Sequence, residues 1–104
     1  MFEGVPESKT TRSEVYKAID SERDHQDKRW GDHAWMDVGE GISYIEHYLL
    51  QARTENTIGD PKIALRNLRK VAALTVALME QHGAPARDPQ NYSGPPVWSK
   101  RISE

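Results

Sequence analysis

From residue 11 to residue 83 the chain reads as three runs of helical period. The first opens at Thr11, with Glu14 three residues on in capping-box spacing, and continues to Trp30 without Gly or Pro. Its apolar positions, Val15, Ala18, Ile19 and Trp30, form a sparse stripe among charges, and Gly31 supplies the stop. In the second run Val38, Ile42, Ile45, Leu49 and Ala52 recur at three- and four-residue steps, which makes one face apolar. The pattern predicts a helix body over residues 35–54 with Asp32 as its cap, and Tyr44 and Tyr48 beside the apolar face. Gly39 and Gly41 are poor helix formers, and their expected use is close approach of another helix. The third run starts at Asp60-Pro61, an N-cap followed by proline at the first helical position, and stops at Gly83 with Pro85 beyond. Its second half, residues 71–79, is apolar on every side, more than one partner helix covers.

The turn at residues 56–59 makes helices 2 and 3 an antiparallel hairpin. Centring it near Thr57 sets Leu74 opposite Gly41, Val76 opposite Gly39, Lys70 near Glu46 and Arg66 near Leu49. The expected fold is all-α, a three-helix protomer assembling into an oligomeric helical bundle with helix 3 near its centre. Residues 1–10 read as a flexible leader, 11–83 as the helical domain and 84–104 as a Pro-containing tail in which Trp98 is a possible anchor.

Composition narrows the function classes. Hydrophobic residues are only 37% of 104 and charged residues 29%, so a monomeric core would be thin, and a homo-oligomer is the expected remedy. A net charge of −2 argues against general nucleic-acid binding. There is no cysteine, which removes disulfides, thiol catalysis and Cys-based zinc sites. Residues 1–12 carry no signal-peptide pattern, and residues 71–79 fall short of the roughly 20 that span a bilayer. A cytoplasmic setting fits these features.

Four constellations could carry chemistry. Lys62, Arg66, Arg69 and Lys70 share one side of the first half of helix 3, where the helix dipole disfavours cations. An anion such as a phosphate would compensate; so would an ordinary salt-bridged face with Glu46, Glu55 or the acids of helix 1. Asp37 and Glu40, with Glu46 further on, have the spacing of part of a Mg²⁺ site or of an acidic helix start. His25, His33, His47 and His82 have no metal-site spacing. Glu22, Gln26 and Arg29 or Trp30 share a polar helical face with an aromatic at its end, suited either to a base or to knitting helix 1 to the hairpin.

The segments SERDHQDKRWGD at 21–32, DVGEG at 37–41 and LRNLRKVAALTVALME at 65–80 resemble small phage-encoded helical proteins. These in turn are similar to the MazG-like all-α nucleoside triphosphate pyrophosphohydrolases, over roughly residues 14–83. The resemblance implies a dimeric or tetrameric bundle, a nucleotide ligand, and Mg²⁺ held by two acidic pairs on successive helices. Asp37 and Glu40 fall on the first pair; the second falls on Asn67 and Lys70, which are not acidic. The expected function is therefore binding of an anionic, nucleotide-like ligand without hydrolysis or cofactor, through Lys62, Arg66, Arg69, Lys70, Glu22, Gln26 and Trp30. Sequestering a host signalling nucleotide in the host cytoplasm is one such role. The alternatives are a Mg²⁺-dependent pyrophosphohydrolase using Asp37, Glu40 and Glu46, and an interaction module that inhibits a host protein.

Overall fold

The computed structural model describes residues 9–31 and 34–87. These form α1 (Arg12–Trp30), α2 (Val38–Thr57) and α3 (Pro61–His82), with no strand among the described residues. No helix among them is long and apolar enough to cross a membrane. Asp32, His33 and Trp98, and most of the leader and tail, lie outside the described residues.

The ends of α1 and α3 follow from their local chemistry. The Thr11 hydroxyl accepts from the Glu14 amide at 3.2 Å. Hydroxyls of Thr10 and Thr11 in turn donate to the Glu14 carboxylate at 2.8 and 3.1 Å, which holds its pKa below the usual value. The Asp60 carboxylate accepts from the Ile63 amide at 3.2 Å, and Pro61 sits where no donor is needed. Gly83, at φ 110°, returns its amide to the Met79 carbonyl at 2.9 Å, a backbone angle that excludes most other residues.

Helix 2 departs from expectation at both ends. It is not capped from Asp32: it begins at Val38, with Asp37 as N-cap. Asp37 Oδ1 accepts from the Glu40 amide at 2.7 Å and Glu40 Oε1 from the Asp37 amide at 3.2 Å, a reciprocal capping box. It also runs to Thr57, three residues past the expected end. That extension moves the centre of the turn toward Gly59 and shifts the hairpin register by one helical turn. Leu78, not Leu74, lies against Gly41, where an added Cβ would stand 2.7 Å from Leu78 Cγ. Gly41 thus permits the close approach anticipated for it. Gly39 faces no other helix, and Val76 is 39% exposed instead of facing Gly39.

Both α1 and α2 pack on α3, while among the described residues α1 and α2 do not pack on each other. The fully enclosed core is small: Leu74 with Ala52, Ala64, Ala73 and Ala77. Helix α1 is attached by polar side chains. Its buried residues are Glu22 and Gln26, whereas Val15 and Trp30 of the expected apolar stripe are about half exposed.

Candidate functional site

Because α1 and α2 lean on α3 without meeting, they leave a cleft of 640 Å³ between them, within the size range of small-molecule sites. Leu74, Ala77 and Gln81 of α3 form its floor. Arg23, Gln26, Asp27 and Trp30 line the α1 wall; Glu40, Tyr44 and Tyr48 line the α2 wall. Residues 34–36, with Trp35 and Met36, close one end.

That end is fixed by the last turn of α3. The Gln81 amide donates to the Ala34 carbonyl at 2.9 Å and accepts from the Met36 amide at 3.0 Å. His82 Nε2 lies 2.7 Å from the Met36 carbonyl, a contact that needs the Nε2–H form, and its ring is 4.6 Å from that of Trp35. The α1–α2 connection is thereby tied to α3 and positions two aromatic residues, Trp30 and Trp35, at the cleft.

On the α1 wall, Arg23 donates from Nε to Glu80 at 2.7 Å and from Nη1 to Asp27 at 2.9 Å. The Glu80 and Asp27 carboxylates raise its pKa further, so it is permanently charged and already neutralised. Asp27, Glu40 and Glu80 outnumber this one cation, which makes the cleft acidic overall. Gln26 is 4% exposed. Its Nε2 reaches the Lys70 carbonyl at a long 3.5 Å, and its Oε1 is buried without a hydrogen-bond partner among the described residues. A buried orphan acceptor costs about 1–3 kcal/mol, so its retention beside a cleft calls for a donor.

The structure divides the seven residues singled out from the sequence. Gln26 and Trp30 line the cleft. Glu22 does not: it is buried under α1 and accepts from Arg69 Nε at 2.8 Å, which joins α1 to α3. Lys70 does not line the cleft: its Nζ stands 5.2 Å from the centre of the ring of Tyr48, which does, and it makes no ion pair with Glu46. Lys62 and Arg66 are exposed and make no ion pair among the described residues. The basic stripe is thus half structural and half open. Arg66 lies one turn from Lys70, about 6 Å along α3.

Asp37 and Glu40 are held in the α2 cap, and Glu46 lies on α2's other side, at a second groove. The described residues contain no group of three His, Asp or Glu side chains placed to hold a metal ion. His25 and His47 are exposed, and His47 meets Gln51 and the edge of Tyr48.

Arg23, Tyr44, Tyr48, Trp35 and Gln81 were not singled out as site residues from the sequence. The i, i+4 spacing of Tyr44 and Tyr48 was the available signal, since it puts both rings on one side of α2. Comparison with known proteins gives no match: no family model, no curated protein and no solved structure matches the chain.

Proposed function

We propose that this chain is a small helical binding protein that holds an anionic, nucleotide-like molecule in the α1–α2 cleft and does not hydrolyse it. The observation that carries the reading is the buried, unpartnered Oε1 of Gln26 at a cleft walled by aromatic rings. A flat heterocycle stacks on Trp30, Tyr44 or Tyr48, and a rotation of the Gln26 amide, whose Oε1 is covered in the free protein, brings that oxygen to a ring N–H of the ligand. The three carboxylates disfavour a phosphate in the middle of the cleft, so in this reading it lies beyond Tyr48, outside the cleft lining, toward Lys70 and then Arg66 on α3. The ring is thus assigned to the cleft and the phosphate to the neighbouring cations of α3. The role in a phage, sequestering a host signalling nucleotide on a MazG-like scaffold, rests on the sequence resemblance alone.

Calorimetry against nucleosides, mononucleotides and cyclic or dinucleotides, with and without Mg²⁺, tests this. One class binds the wild type. Gln26→Met lowers its affinity about 10- to 100-fold, the value of one buried hydrogen bond of about 1.5–3 kcal/mol. Arg66→Ala weakens the phosphorylated compounds and leaves the parent nucleoside unchanged. No binding across the panel refutes the proposal, and release of pyrophosphate with Mg²⁺ replaces it by the hydrolase.

A further inference from the structure

On the side of the hairpin away from the cleft, α3 presents Leu65, Leu68, Ala72, Val76 and Met79. Their steps of three, four, four and three residues place them in one seam, about 21 Å long at 1.5 Å per residue. Leu65 is 63% exposed, Met79 47%, Leu68 41% and Val76 39%, and no element among the described residues covers them. A groove of 760 Å³, lined by Leu49, Ala52, Leu65 and Leu68, adjoins the seam at the hairpin tip. So much exposed apolar surface, against a core of one leucine and four alanines, marks an interface.

We infer that the occupant is a second copy of this chain, its α3 antiparallel to the first about a two-fold axis at Ala72. The spacing of the seam reads the same in both directions. An antiparallel copy therefore sets Leu65 beside Met79, Leu68 beside Val76, and Ala72 on Ala72, where small side chains let the helices approach. Met79 of the second copy then lies by Leu65 at the mouth of the groove.

Charge chooses the direction. The first half of α3 carries Lys62, Arg66, Arg69 and Lys70 and no acid; the second half carries only Glu80. Parallel packing would put four cations level with four. Antiparallel packing brings Lys62 level with the C-terminal turn of the second copy, beside its Glu80 and the negative end of its helix dipole. Lys62, which has no ion pair among the described residues of the protomer, thus comes to a Glu80 carboxylate that already accepts from Arg23 and can be shared.

The chain has no cysteine, so single-cysteine variants report the geometry cleanly. Light scattering of the wild type shows a dimer at micromolar concentration. Ala72→Cys, a small change, oxidises to a covalent dimer. It cross-links at least about tenfold faster than Leu65→Cys, whose two copies lie roughly 20 Å apart, because a disulfide needs Cα atoms within about 7 Å. Leu65→Cys mixed with Met79→Cys restores rapid cross-linking. A monomeric wild type overturns the inference, as does a dimer in which Leu65→Cys links to itself as fast as Ala72→Cys.

Discussion

Gln26→Met separates a structural glutamine from a functional one. Methionine matches glutamine in length and is unbranched, so it fills the same space without polar atoms. The substitution removes an unpartnered buried Oε1, which costs about 1–3 kcal/mol in the folded protein. It also removes the hydrogen bond from Nε2 to the Lys70 carbonyl, but at 3.5 Å that bond contributes about 0.5 kcal/mol at most. The sum favours the variant by ~0.5–2.5 kcal/mol, or a rise in Tm of several degrees at about 4–8 °C per kcal/mol. The same variant loses ligand affinity, a trade expected where a polar group is kept for function. Urea denaturation followed by circular dichroism, at one fixed protein concentration, gives the stability change. Destabilisation by 1 kcal/mol or more would refute this reasoning, because it would mean that Gln26 is satisfied in the free protein.

Gly41→Ala gains about 1 kcal/mol of helix propensity but drives a Cβ into Leu78 Cγ, and overpacking costs about 1–3 kcal/mol. The net effect is a loss of up to about 2 kcal/mol, whereas Gly39→Ala, which meets only its own cap residue at 3.3 Å, is stabilising or neutral by the same urea assay. Arg69→Ala leaves the buried Glu22 carboxylate unpaired and costs about 1–3 kcal/mol, below the value for a fully buried pair because Arg69 is partly exposed. Hydrogen exchange should show that loss concentrated in α1, and Glu22→Gln should be milder. The Glu14 carboxylate, held below its usual pKa by Thr10 and Thr11, stabilises the start of α1 above the ordinary carboxylate range. That contribution disappears as pH falls through the lowered folded value, so amide exchange at residues 12–15 should rise there in the wild type and change less in Thr11→Val.

Helix α3 was fully legible because its start and stop depend only on neighbouring residues: Asp60 with Pro61, and Gly83. The span of α1 was legible for the same reason. Helix α2 shows where local reading fails. Asp37-x-x-Glu40 has one spacing and two uses, metal binding and capping, and only the backbone geometry selects the cap. The three extra residues at its end then moved the register by one turn, a long-range effect of a local boundary. The cleft was hidden for a different reason. It exists because α1 crosses α3 through Glu22–Arg69 and Arg23–Glu80 without touching α2, and no pattern within a single helix encodes that placement. Gln26 and Trp30 could be named from their shared face, while the acidic character of the walls comes from three helices at once.

The central claim is that the cleft, and Gln26 within it, receives the ring of a nucleotide-like ligand. Titration of labelled protein by two-dimensional NMR, with the nucleotide class found by calorimetry, tests it most directly. The Gln26 side-chain amide, the Trp30 indole N–H and the amides around Tyr48 and Lys70 should shift together and saturate at one affinity. Shifts confined to Lys62 and Arg66, with Gln26 and Trp30 unmoved, would contradict the claim and leave only a screened surface attraction for phosphate.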